Sequence, residues 1–240
     1  SSNLISVHSP RPLVHPANQN LRHVVDGWIP FAILDSGGLS MKWCKQLIGS
    51  AIGSEVGYDS LIEMASRVPA GSDGLLFYPY LLGERRRENT SARGGFVGIT
   101  LNHEAAHFVR AVMEGVAFAM ACNIALFESR GVRVEQVHCV GGGIRNGLWN
   151  QIKADVLQRP IVLSPEPEAG LRGGALLAAS GAGLINDLSK AAVRGIANGT
   201  TVQPNPDTAK AYHNALDEFE RLYQHMLGYW QGTATATGEI

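Results

Sequence analysis

Three consecutive glycines, Gly141, Gly142 and Gly143, follow the short apolar run Gln136 to Val140 and precede a segment in which Leu148, Ile152, Val156 and Leu157 recur at helical spacing. A glycine cluster between a strand and a helix bares the main chain, so a ligand can approach closer than any side chain would permit, and the helix N-terminus beyond it favours polar or anionic atoms. The same cluster is also what a tight strand-to-helix connection needs for its φ values, and from this segment alone the two readings stand level. A dinucleotide fingerprint starting at Gly141 would put its last glycine at Asn146, where the register fails, and G-x-x-x-x-G-K-[ST] is absent from the chain. Asp35-Ser36-Gly37-Gly38 makes a second turn of this kind ahead of Leu39, Trp43, Leu47 and Ile48, with Ser36 or Asp35 as the expected N-cap.

Two other clusters could carry chemistry. His103-Glu104-Ala105-Ala106-His107 has the spacing of the zinc-protease signature H-E-x-x-H. A zincin also needs a third protein ligand and an open position, and Glu128 lies too far along the same expected helix to supply it. Glu84, Arg85, Arg86, Arg87 and Glu88 form the one dense charge run, to be read as a solvated loop or as the lining of a polar cleft.

The elements that must hold these residues follow from periodicity. Leu4 to Val7, Val24 to Gly27 and Phe31 to Leu34 read as a small antiparallel meander. Helices are expected from Leu39 to about Gly49 and from Tyr58 to Arg67, and strands over Leu75 to Tyr78 and Phe96 to Gly98. The longest periodic element, from an N-cap at Asn102 to about Arg130, carries the stripe Val109, Val112, Met113, Val116, Ala117, Met120, Ile124 and Phe127, the mark of a core helix, with Glu114 expected on its polar face. After the strand Ile161 to Leu163, a small-residue helix over Ala175 to Gly181 is expected to pack tightly. Gly195 to Pro206 then reads as a linker. An amphipathic helix at 206–230 closes the pattern, and 231–240 has no periodicity, so a disordered tail is expected there.

Of the 240 residues 45% are apolar and 17% charged, below the roughly 25% usual for soluble domains, which points to extensive burial, including a face that docks onto a partner or another domain; a homodimer is among the expected partners. The formal net charge of −1 carries neither a nucleic-acid nor a membrane footprint, and no secretion or spanning signal is read in the chain. Cys44, Cys122 and Cys139, odd in number and without C-x-x-C, read as buried thiols in the cytoplasm.

Taken together, SGGLSMKW at Ser36 to Trp43, YPYLLGERRRENTSARGGFVGIT at Tyr78 to Thr100, HFVRAVMEGVAFAM, VGGGIRNGLWNQIKADVLQRPI and EAGLRGGALLAASGAG resemble, in order and approximate spacing, the C-terminal domain of the FGGY family of carbohydrate kinases. The xylulose and gluconate kinase side of the family is nearest. The resemblance implies an α/β, actin-like (ribonuclease-H-like) ATPase domain, a mixed sheet flanked by helices, over residues 1–200, with ATP or ADP as cofactor and Mg²⁺ on its phosphates. Carried over by position, Gly37 and Gly38 match the turn near the nucleotide phosphates, Lys42 falls where some members place a glutamine, and Gly142, Gly143 and Asn146 match the turn that holds the adenosine. The family's catalytic aspartate, first phosphate hairpin and most sugar contacts belong to an N-terminal domain whose motifs this chain does not carry. The expected partner is therefore a sugar, ketose or sugar acid bound through that domain. A non-catalytic, nucleotide-binding actin-like scaffold is the alternative.

Overall fold

The computed structural model describes residues 3–84, 91–166, 168–194 and 199–237. Strands β1 (Asn3–Ser6), β2 (Gln19–Arg22) and β3 (Trp28–Leu34) form an antiparallel sheet in the order β1-β3-β2. This is not the expected meander. Val24 and Val25 are exposed on the β2–β3 turn, which closes through the His23 N–H to the Gly27 carbonyl at 3.1 Å. Gly27 takes φ +78°, and a Cβ there would lie 2.7 Å from the Ser9 carbonyl, so two valines read as strand sit in a turn that its glycine dictates.

Helix α1 (Gly37–Ile52) runs past Gly49 and stops at Gly53, left-handed at φ +69°. Helix α2 (Tyr58–Ser66) and the antiparallel pair β4 (Leu76–Tyr78) and β5 (Gly95–Val97) follow. All of these gather around helix α3 (Ala105–Glu128), whose Val109, Val112, Met113, Val116 and Ala117 are fully buried. α3 is long and apolar enough to cross a bilayer, but it is sheathed by the rest of the fold. Strand β4 lies so close that a Cβ at Gly115 would come within 2.0 Å of the Phe77 carbonyl oxygen. A mid-helix glycine is tolerated there because the sheet backbone occupies its side-chain space.

Strand β6 (Val137–Cys139) pairs parallel with β7 (Ile161–Leu163), helix α4 (Gly147–Leu157) crossing between them, and β7 pairs antiparallel with β8 (Thr200–Val202). Among the described residues the strands group into three small sheets, and this one mixes parallel and antiparallel pairing. β8 falls inside the stretch read as a linker, because three strand-compatible residues, Thr-Thr-Val, are hidden between turn-rich flanks.

Helix α5 (Ala169–Gly181) starts six residues earlier than expected and has no buried residue, Leu171 being 74% exposed. Tight packing of this helix is therefore not seen; Arg172 instead donates to the Ala191 and Ala192 carbonyls at the end of α6 (Leu188–Arg194). Helix α7 (Ala209–Thr237) packs Tyr212, Phe219, Tyr223 and Trp230 against the core. It continues through Thr237, well past the last large apolar residues that mark its pattern, because adding a residue to an existing helix costs far less than nucleating one. The three cysteines are thiols outside any disulfide, with Cys44 buried and Cys122 and Cys139 only partly so.

Candidate functional site

The first glycine turn is built where β3 hands over to α1. Ser36 occupies the N-cap position, yet its Oγ accepts the Leu82 N–H at 3.2 Å and makes no capping bond to the first turn of α1. The first N–H groups of the helix are thereby left for another acceptor. Gly37 is buried, and a Cβ on it would come within 2.3 Å of Asn3 Oδ1, so its small size is fixed by β1. Gly38 is half-buried, and Lys42, one helical turn on and on the same face, is exposed in an open groove of about 610 Å³ shared with Lys45, Gln46 and Ser50.

The second turn leaves β6 through Gly141 at φ +86° and makes a 3-10 turn over Gly142–Arg145. Asn146 caps α4, its Oδ1 accepting the Trp149 N–H at 3.0 Å, while its amide nitrogen has no protein partner among the described residues. Buried Asn150 donates through Nδ2 to the Ile144 carbonyl at 2.6 Å and so clamps the turn. Its Oδ1 accepts from Lys153 Nζ at 3.3 Å, and that ammonium also lies 4.8 Å from the centre of the Trp149 ring. Burial pulls the Lys153 pKa down from its ordinary value, partly offset by the neighbouring Cys139 thiol. A Cβ on Gly141 or Gly142 would meet no atom within 4 Å, whereas one on Gly143 would lie 3.8 Å from Lys153 Nζ.

Both turns are tied to one stripe of α3. Asn3, against Gly37, donates through Nδ2 to Met120 Sδ at 3.6 Å, and Trp149 donates through Nε1 to the Met113 carbonyl at 3.0 Å. Seven residues are two helical turns, so the two anchors share a face of α3 about 10 Å apart.

The other clusters resolve differently. His103 precedes α3 rather than lying on it, and its Nδ1 accepts the Thr100 N–H at 2.9 Å. Glu104, not Asn102, is the N-cap, in a capping box with His107, whose Nδ1 accepts the Glu104 N–H at 3.1 Å. His107 Nε2 contacts Asp73 Oδ2 at 3.1 Å, and Glu128 pairs with Arg159 at 2.9 Å. The H-E-x-x-H spacing is therefore a helix start and not a metal site. Glu114, expected on the polar face, is 1% exposed and accepts from Ser72 Oγ at 2.7 Å, the Gly71 N–H at 3.1 Å, Arg110 Nε at 2.8 Å and the Tyr212 hydroxyl at 3.0 Å. Of the charge run only Glu84 is described, accepting from the Tyr223 hydroxyl of α7; Arg85 to Glu88 lie outside the described residues.

The model of the FGGY family of carbohydrate kinases, C-terminal domain, matches residues 1–182. This chain belongs to that family. Within it the chain is 29% identical to a xylulose kinase of Bacillus subtilis over 83% of its own length and 40% of the relative's, and 31% identical to a gluconokinase of the same organism over 87% and 43%. Its fold superposes on the crystal structure of xylulose kinase from Rhodospirillum rubrum with a TM-score of 0.84 at 29% identity, covering 96% of this chain and 46% of that one. The chain thus spans less than half the length of these relatives, and the α/β fold expected from the sequence is that of FGGY sugar kinases. Two residues of α4 that back the FGGY chain's second turn, Asn150 and Lys153, escaped the sequence reading. The signal for Asn150 was its position four residues after Asn146 at a helix start; Lys153 had none, because nothing in a sequence marks a lysine as buried.

Proposed function

We propose that this chain is the nucleotide-binding half of an ATP-dependent sugar kinase that transfers the γ-phosphate of ATP to a hydroxyl of a sugar, ketose or sugar acid. The observation that carries the reading is the tethering of two glycine turns, each opening a helix, to one stripe of α3 about 10 Å apart. The first turn of α1, which Ser36 does not cap, suits phosphate oxygens, with Gly38 and Lys42 on the face they would meet. Gly142, Gly143 and the spare Asn146 amide suit the rest of the nucleotide. Mg²⁺ would enter on the nucleotide phosphates, since this ion keeps several waters and is bound largely through substrate phosphates. Xylulose-like ketoses and gluconate-like sugar acids are the first substrates to test, because relatives bear those names. The cytoplasm is the compartment we assign.

Phosphoryl transfer needs charge stabilisation and a base from both sides of a cleft, so the chain alone should bind nucleotide without turning it over. Sugar-dependent ADP production should be absent for the 240-residue chain and appear once an N-terminal half from the family is fused ahead of it. Turnover by the unfused chain, or none by a folded fusion with any sugar or sugar acid, contradicts the proposal.

A further inference from the structure

No residue of α5 belongs to the hydrophobic core, and the helix has neither a side-chain cap at Glu168 nor an acidic residue in its first turn. Its exposed positions nonetheless fall into one helical stripe, with Gly170, Gly174 and Ala178 four apart and Leu171, Ala175 and Leu177 beside them. The polar side chains of α5, Arg172 and Ser180, lie on the other face, where Arg172 reaches the α6 carbonyls. Two leucines thus stand exposed on a face that carries no charge, Leu171 by 74% and Leu177 by 45%.

The glycines sharpen the point. Gly115 of α3 is small because the Phe77 carbonyl fills its side-chain space, but a Cβ on Gly170, Gly173, Gly174 or Gly181 would meet nothing within 4 Å. Glycine weakens a helix, and a short helix with several of them and no core to pack on is marginal by itself. A second helix laid along Gly170, Gly174 and Ala178 accounts for them, because small residues let two backbones approach while the partner's bulky side chains fill the groove. The family match runs to residue 182, past the last residue of α5, so this helix is an element of the FGGY domain and not an addition to it. More than half of the length of each relative lies outside the part that this chain matches. We propose that the Gly170, Gly174 and Ala178 face of α5 docks an apolar helix of the kinase's other half; this rests on the reading of the chain as one half of a sugar kinase. An uncharged stripe matches a partner face of large aliphatic or aromatic side chains and offers nothing to a polyanion.

The test places Gly174→Leu in the 240-residue chain and in a fusion that carries the N-terminal half of the Bacillus subtilis xylulose kinase ahead of it, and reads amide hydrogen exchange along α5 together with urea midpoints. Should that fusion not fold, the corresponding half of the Bacillus subtilis gluconokinase takes its place, and a chain on which neither half folds counts against the docking. In the chain alone the leucine meets open space and replaces a helix-weakening glycine, so the midpoint should not fall. The α5 amides should exchange about tenfold or more slowly in the parent fusion than in the chain, and Gly174→Leu should return them to within about twofold of the chain's rate. Equal exchange in the chain and the parent fusion overturns the proposal, as does protection that survives Gly174→Leu; if such a fusion makes ADP with a sugar, the nucleotide reading stands. A lowered midpoint for Gly174→Leu in the chain alone also overturns it, since the face would then be filled from within this chain or by a second copy, which sedimentation separates. Protection lost on Gly174→Leu in a chain that binds no Mg-ADP supports the docking and retires the nucleotide site alone.

Discussion

A side chain at Gly142 would project into open space, whereas one at Gly143 would rest on the Lys153 ammonium. The two glycines therefore call for different experiments. Gly142→Val adds a branched group on the side where a ligand has room to approach, without demanding a left-handed φ, so the fold should hold while Mg-ADP affinity drops about tenfold, or 1.4 kcal/mol. Titration of the folded variant checks this, and unchanged affinity would make the turn a mere connection. Gly37 behaves oppositely. Gly37→Ala would drive a methyl into the Asn3 side chain and should destabilise the chain by roughly 1–3 kcal/mol, with partial recovery in the Asn3→Ala double variant, measured by urea unfolding. The sequence made Gly37, Gly142 and Gly143 legible as turn residues. It could not separate them, because what a Cβ would meet is set by Asn3 on β1, remote in sequence from Gly37, and by the inward turn of the Lys153 side chain, which spacing does not show.

At the scale of elements, α3 is the scaffold on which both turns are hung, and its own position is fixed by two features. One is Gly115, where a methyl group would meet the Phe77 carbonyl at 2.0 Å; Gly115→Ala should destabilise by roughly 2 kcal/mol or more despite alanine's higher helix propensity, as denaturant midpoints would show. The other is the buried Glu114 carboxylate, which gathers Arg110, Ser72, Gly71 and Tyr212, and so ties α3 to α7. Glu114→Ala leaves Arg110 buried without its partner and should cost about 3–5 kcal/mol, against about 1 kcal/mol for Tyr212→Phe. A Glu114→Ala cost no larger than that of Tyr212→Phe would mean the network is not a unit. Periodicity placed α3 in the core and found every helix with a wide apolar stripe. It missed β8, which is three residues long, and misassigned Glu114, because a lone acidic residue inside a helix pattern carries no mark of the four donors that meet it. The N-cap of α3 was misplaced at Asn102 for a related reason: spacing alone does not say where the helix begins.

At the scale of the whole molecule, burial sets how stability depends on pH. The Cys44 thiol is pushed up to about 11 from its ordinary 9.0, and the Tyr78 and Tyr212 phenols are likewise raised, chiefly by burial. Above pH 9 the unfolded chain sheds the Cys44 proton while the folded chain keeps it, so the unfolded state binds fewer protons and stability falls as pH rises from about 9 to 11. Each such group adds at most one proton to the slope, about 1.4 kcal/mol per pH unit. Cys44→Ala should therefore flatten the decline over that range by up to one proton, and an unchanged slope in a pH series of urea melts would contradict it. Lys153 opposes this trend, since its pKa is lowered on folding and the unfolded chain binds the extra proton.

The chain covers 40% of a xylulose kinase relative and carries both glycine turns, so the division of labour we propose puts nucleotide binding here and sugar recognition elsewhere. Calorimetric titration of the 240-residue chain with Mg-ADP measures that division most directly. Saturable binding, at millimolar strength or tighter, is the predicted result; no binding by a folded chain at millimolar nucleotide would mean that the two turns serve the fold and form no nucleotide site by themselves.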